Sequence, residues 1–288
     1  KDNGSLEEFG VKFDAINLID GDFDYNSIKN YLEKTTPKMV YLQRSRGYEW
    51  RDALSIEKIE KLVKFLRNLG FNGCIMLDNC YGEFVDKKEA IEVGVNILAG
   101  SMIKNIGGGI APTGGYVVGD EKYVNMVLNR LTAPSIAGEV GSYAYGYQYY
   151  YHGLFLAPHV TIQALKGSLL FGAVLKSLGY ETSPEENVMP CDIIRAIKFN
   201  NSQELISFIQ TIQENSPIDS HVLALPWEMP GYEDQVIMAA GCFVQGSSIE
   251  LSADAPIKPP YIGYLQGGIT YEHCKIALKN LIKKLNKD

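Results

Sequence analysis

Residues 77–115 read LDNCYGEFVDKKEAIEVGVNILAGSMIKNIGGGIAPTGG, and this stretch decides the fold. The apolar run Cys74-Ile75-Met76-Leu77 leads into it and ends at Asp78. A second apolar run, Val95 to Ala99, ends in Gly100-Ser101, with Lys104 just beyond and Gly107, Gly108 and Gly109 next. Short apolar runs separated by a helix-sized polar segment predict parallel strands of an α/β sheet. Ligands of such sheets bind outside the carboxyl ends of the strands, which puts Asp78 and Lys104 in one crevice. The link from Lys104 to Gly115 is too short for a crossover helix, so Gly115 to Val118 is expected to run antiparallel to its neighbour.

Working outward, Lys12 to Leu18 reads as a strand, and Asp24 as the N-cap of a helix carrying Ile28, Tyr31 and Leu32. Met39 to Leu42 is the next buried strand, with QRSRGYEWR as the loop at its carboxyl end. Ser55 caps an amphipathic helix whose apolar face is Ile56, Ile59, Leu62, Val63, Leu66 and Leu69, closed by Gly70. Beyond the central stretch, Glu121 to Leu131 reads as a helix. Tyr143 to Tyr151 (YAYGYQYYY) is expected to pack as aromatics in a core or at a subunit contact. His159 to Leu178 carries a long apolar helix pattern. Ile193 to Phe199 then reads as a strand, Ser202 to Glu214 as a helix, short strands follow around Val236 and Ile249, and Tyr271 to Lys287 is a last amphipathic helix. The chain therefore divides into a large domain, 1–158, and a connecting helix with a smaller α+β domain, 159–288.

At 288 residues the chain is long enough for one large or two ordinary domains with a real core. Its formal net charge of −7 argues against nucleic acid or an anionic membrane as partner. No apolar run approaches the length of a membrane span, and no signal peptide leads the sequence, so a cytoplasmic address is expected. Five cysteines without C-x-x-C spacing read as reduced thiols, and four scattered histidines form no metal pattern.

Lys104 alone would be read as a surface lysine in a loop. Its surroundings change that reading. Ser101 places a hydroxyl nearby, and the glycines at 107–109 would let backbone approach a ligand closely. Neither G-x-x-x-x-G-K-[ST] nor G-x-G-x-x-G is present, so a nucleotide does not explain them. A lysine and a carboxylate on adjacent strand ends suit pyridoxal phosphate. That cofactor needs an amine to hold it as a Schiff base and an acid to keep its pyridine nitrogen protonated. Tyr81, three residues after Asp78, would reach the ring's phenolic oxygen.

SMIKN with the following glycines, and DNCYGEF before it, resemble fold-type I pyridoxal-phosphate enzymes of the cystathionine and methionine lyase group. More closely, the chain resembles the bacterial family of methionine γ-lyase-like or aluminium resistance proteins. The likeness runs through GSLEEFG (4–10), VYLQRSRGY (40–48), LDNCYGEF (77–84), GSMIKNIGGGIAPTGGYVVG (100–119), GLFLAPHV (153–160) and SPIDS (216–220). It continues through MPGYEDQVIMAAG (229–241), SIELSADAPIKPPY (248–261) and LQGGITYEH (265–273). It implies an α/β large domain with a mostly parallel sheet, partial at its N-terminus, joined to a small α+β domain. It also implies that Lys104 is the Schiff-base lysine, Asp78 the partner of the pyridine nitrogen, Ser101 a phosphate contact and Tyr81 the partner of the ring oxygen. Gln43 and Arg44 would lie at the pocket rim, and Arg44, Arg46 or Lys258 would hold the substrate carboxylate. The family has arginine where this sequence has Lys258. The family also has a segment ahead of GSLEEFG, with a first sheet strand and a phosphate-binding turn, that this sequence does not include. The function implied is cleavage of the C–S bond of a small sulfur-containing L-amino acid, such as methionine or cystathionine, by a homodimer or homotetramer. An aminotransferase, aldolase or racemase on the same cofactor stays open, as does a stress or metal-resistance protein that uses the scaffold without catalysis.

Overall fold

Both apolar runs of the central stretch are strands, and Ile75, Leu77 and Leu98 of these strands are buried in one cluster with the apolar face of a helix. The structure, a computed structural model, describes residues 4–285. A small hairpin of β1 (Leu18–Ile19) and β2 (Asp22–Phe23) leads into α1 (Tyr25–Leu32), whose N-cap Asp24 accepts from the Ser27 amide at 2.9 Å. β3 (Met39–Gln43), α2 (Ile56–Asn68), β4 (Cys74–Asp78), β5 (Ile97–Ser101) and β6 (Gly115–Gly119) follow. They form a four-stranded sheet in the order β3-β4-β5-β6, parallel except for β6, which runs antiparallel as its short link requires. Ser55 caps α2 by accepting from the Lys58 amide, and Ile59, Leu62, Val63 and Leu66 of its apolar face pack on Ile75, Leu77 and Leu98. Burial of each such side chain stabilises the domain by about 1.5–3 kcal/mol relative to exposure.

After α3 (Glu121–Leu131) comes α4 (Gln148–Ser177), a single helix of 30 residues that continues through Pro158. The 158/159 division therefore falls within one continuous element. Length and apolarity alone would let α4 cross a membrane, but Gly153, Ala157, Ala164, Gly167 and Phe171 bury one side of it against the body. The second sheet takes β7 (Glu181–Ser183), β8 (Arg195–Lys198), β9 (Val236–Ala239), β10 (Ser252–Pro256) and β11 (Ile262–Gln266) in the order β7-β8-β11-β10-β9, with every pair antiparallel. α4, α5 (Ser202–Glu214) and α6 (Tyr271–Leu285) cover it, and Phe171, Leu175, Phe208, Ile212, Leu278 and Leu281 fill the core.

Three expectations need correction. Lys12 to Leu18 is not a strand: only Leu18 enters a ladder, with Phe23. A cleft of about 490 Å³ lies between this segment and β3, so its backbone groups have no strand beside them to pair with. The long helix begins at Gln148 rather than His159, so the aromatic run forms its first turn and the approach to it. There Tyr143 packs edge-on to Tyr145 and Tyr150 at the surface, with Tyr145 85% exposed, and not in the core. In the small domain, Ile249 precedes its strand, and β7 and β11 had no counterpart in the sequence reading.

Candidate active site

Parallel pairing of β3, β4 and β5 sets Gln43 opposite Asp78 and Asp78 opposite Ala99, so three carboxyl ends share one edge. Asp78 is half-buried there. Its Oδ1 accepts from the Cys80 amide at 3.0 Å, and its Oδ2 from the Tyr41 hydroxyl at 3.5 Å. From the end of β5 the chain turns tightly: the Lys104 amide donates to Ser101 O at 3.3 Å, and the Gly107 amide to Lys104 O at 3.1 Å. This turn carries the Lys104 Nζ to 4.3 Å from the centre of the Tyr81 ring. Burial works against its charge, but Tyr81, Cys80 and Asp78 together outweigh burial and raise Lys104 above the ordinary lysine range. The Ser101 hydroxyl accepts from the Ile103 amide at 3.4 Å. Lys104, Tyr81 and Asp78 thus meet at one strand edge, with Ser101 opening the turn that carries Lys104.

Tyr81 and Phe84 hold φ of 72° and 60°, the left-handed region that non-glycine residues seldom enter. Such conformations persist only where the surroundings impose them. Here Asn105 does so: its Nδ2 donates to Tyr81 O at 3.0 Å and Glu83 O at 3.1 Å, and the Ile193 amide donates to Tyr81 O at 3.2 Å. Sequence reasoning missed Asn105, though it adjoins Lys104. Glu83, almost wholly buried, accepts from the Tyr116 hydroxyl at 2.8 Å, and burial pushes its carboxyl up to about 7. Burial likewise pushes the Cys80 thiol up to about 11, against the pull of Lys104.

Arg44 is not at a rim. It is 0% exposed, with Nη1 donating to Asn79 Oδ1 at 2.9 Å and Gly82 O at 3.0 Å, and Glu89 lies 3.9 Å away. Through Nη1 alone this buried guanidinium holds the 79–84 turn from beneath. Arg46 is similarly enclosed, donating to the Ser183 hydroxyl at 2.9 Å. Lys258 has a side chain 54% exposed, and Asp234 holds its ammonium at 2.8 Å. The glycines also serve a purpose other than the one expected. A Cβ on Gly107 would strike Met102 O, one on Gly108 would strike Gly153 O of α4, and one on Gly109 would meet Ile269 at 2.9 Å. They let α4 and the small domain close on the Lys104 turn.

One residue that no motif singled out stands on the small-domain side. Asp254 of β10 accepts from the Tyr48 hydroxyl at 3.1 Å, and burial pushes its carboxyl up to about 6, while Lys104 draws it down. Its signal was an acid within the otherwise apolar run Ala253 to Ile257.

The family model described as methionine gamma-lyase matches residues 1–286. The uncharacterized protein YnbB of Bacillus subtilis is 44% identical over 283 residues, which is 98% of this chain and 67% of that protein. A 33.9 kDa protein of Lactobacillus delbrueckii subsp. bulgaricus, encoded in the glnA 5′ region, is 45% identical over 99% of this chain and 94% of its own length. Among solved structures, a Clostridium acetobutylicum protein provisionally described as a cystathionine beta-lyase involved in aluminum resistance superposes with a TM-score of 0.94 at 50% identity. That match covers 99% of this chain and 67% of the other. A carbon-sulfur lyase involved in aluminum resistance from Clostridium novyi gives 0.93 at 46% identity, over 99% and 67%. The pyridoxal-5′-phosphate dependent protein YhfS of Escherichia coli, with a TM-score of 0.58 at 17% identity over 92% and 66%, shares the fold alone. The chain belongs to the methionine gamma-lyase family, and its fold is that of the fold-type I pyridoxal-phosphate enzymes.

Proposed function

From that family membership, we propose that the chain binds pyridoxal phosphate through Lys104 and cleaves the C–S bond of a small sulfur-containing L-amino acid. The observation that carries this reading is the Lys104 amine over the Tyr81 ring, with the Asp78 carboxylate at the end of the neighbouring strand. This donor set fits the ring end of the cofactor, and Ser101 is the hydroxyl available to its phosphate. When bound, pyridoxal phosphate supplies an electron sink for charge developed at the substrate Cα. Asp78 would keep a proton on the pyridine nitrogen, and Tyr81 lies against Lys104 and orients it. Lys104 would hold the cofactor's aldehyde carbon and, as the free amine, would be the base placed to take the substrate Cα proton. The longer relatives' names, a carbon-sulfur lyase and a provisional cystathionine beta-lyase, support the same bond as the one broken. Tyr145, Tyr151 and Phe155, exposed along the start of α4 and its approach, support the homodimer or homotetramer expected of it.

The test is borohydride reduction of the protein with pyridoxal phosphate, followed by peptide mass mapping. A pyridoxyl adduct on Lys104, absent in Lys104→Ala, is expected. An adduct confined to other lysines would overturn the site. Thiol release from methionine or cystathionine is expected alongside; an adduct without thiol release would keep the cofactor and remove the lyase.

A further inference from the structure

The Asp254 carboxylate does not stand alone. Tyr48, which donates to it, packs its ring 5.3 Å from Tyr264 and 5.5 Å from Tyr232, and Tyr48 and Tyr81 both pack on the buried cluster of Ile194, Ala196, Ile262 and Tyr264, which links Asp254 to the ring that carries the Lys104 amine. Tyr264 is buried, but Tyr232 is 47% exposed and Tyr48 half-buried, so this aromatic wall has an open mouth. A half-buried carboxylate set among electron-rich ring faces suits an ammonium group, because the ion pair and the ring quadrupoles both favour a cation over a neutral methyl. A substrate carboxylate would be repelled from the same place.

We propose that Asp254 and the tyrosines around it form a specificity subsite that takes an ammonium at the far end of the substrate side chain. The inference rests on the reading of Lys104 as the reacting end, and it selects thioether amino acids ending in a second amino group over methionine. Asp254 supplies the charge, the Tyr48 hydroxyl holds one carboxylate oxygen in place, and Tyr232 flanks the entrance.

L-norleucine and L-lysine isolate the effect, since they differ only by the terminal ammonium and contain no C–S bond to cleave. Calorimetric binding of each to the chain is expected to favour lysine by about tenfold or more, the scale of one well-placed ion pair. Asp254→Asn is expected to remove that preference while leaving norleucine binding unchanged. Tyr48→Phe, which keeps the ring and the charge, is expected to lose part of it and guards against an Asn variant that fails to fold. Equal binding of the two amino acids would overturn the inference. So would an Asp254→Asn variant that weakens both equally, which would mean that the carboxylate meets the α-amino group instead. Preference for lysine without thiol release from any sulfur amino acid would leave the subsite standing and sink the lyase reading.

Discussion

The small-domain sheet and the strand ends of the large-domain sheet solve opposite problems. In the first, all five residues of β11 are buried, and β8 and β10 are nearly so. Rings such as Phe199 and Phe208, 5.0 Å apart, fill the space between strands and helices. In the second, Arg44, Asn79, Glu83 and Asn105 are buried polar groups, and Glu83 Oε2, Asn105 Oδ1 and two Arg44 nitrogens have no hydrogen-bond partner among the described residues. Tyr81 and Phe84 add left-handed backbone to the same turn. One region is built for burial. The other gives up stability to hold an amine, a carboxylate and a ring in fixed relation, as functional sites commonly do.

The largest test pits one buried side chain from each region against the other. Phe208→Ala opens a cavity in the small-domain core and is expected to lower stability by about 3–5 kcal/mol. Arg44→Ala removes the donor to Asn79 Oδ1 and the Gly82 carbonyl, and leaving buried acceptors unpaired is expected to lower stability by about 1–3 kcal/mol. Amide exchange should separate them: residues 79–84 should exchange faster in the Arg44 variant alone. Equal acceleration in both variants would break the division.

A smaller effect is expected from Gly100→Ala. The new Cβ would come within 2.5 Å of the Tyr116 ring and 2.6 Å of Glu83 Oε1, and overpacking of this kind is destabilising by about 1–3 kcal/mol. A shifted denaturation midpoint with an unchanged slope would bear this out. An unshifted midpoint would mean that the placing region yields as readily as a surface loop.

The smallest effect is a pH slope. The Glu83 carboxyl titrates at about 7 in the fold against an ordinary 4.5, so between these values the folded chain keeps a proton that the unfolded chain has released. Stability therefore falls as pH rises across that window, by at most about 1.4 kcal/mol per pH unit, and levels off above it. Asp254 contributes a slope of the same sign between 3.8 and about 6, and buried Asp192, also raised by burial, adds another, so the share of the slope between pH 6 and 7 that Glu83→Gln removes is the one that belongs to Glu83. Glu83→Gln is expected to flatten denaturation midpoints there. A slope left unchanged in the variant would assign the titration elsewhere.

Much of this site could be read along the chain. Asp78, Tyr81, Ser101 and Lys104 were legible because strand ends and the turns beside them are local, and parallel strands bring such ends to one edge whatever else the protein does. Arg44 was placed wrongly for the complementary reason. A charged residue after a strand looks exposed, and only the fold shows Gly82 and Asn79 closing over it. The packing role of Gly108 and Gly109 was hidden for the same reason: their partners lie in α4 and at Ile269, far away in sequence.

By itself the sequence determined the parallel pairing of the central strands, the antiparallel turn of β6, the caps of α1 and α2, and the placing of Asp78 and Lys104 at one strand edge. Each follows from periodicity, link length or neighbouring side chains, which act over a few residues. The tertiary structure alone decided that Asp254, 150 positions beyond Lys104, bonds Tyr48, which packs on the same buried cluster as Tyr81. It also decided that Arg44 is enclosed and that Lys12 to Leu18 stays outside the sheet. Burial and strand pairing depend on partners distant in the chain, and no local pattern carries their positions.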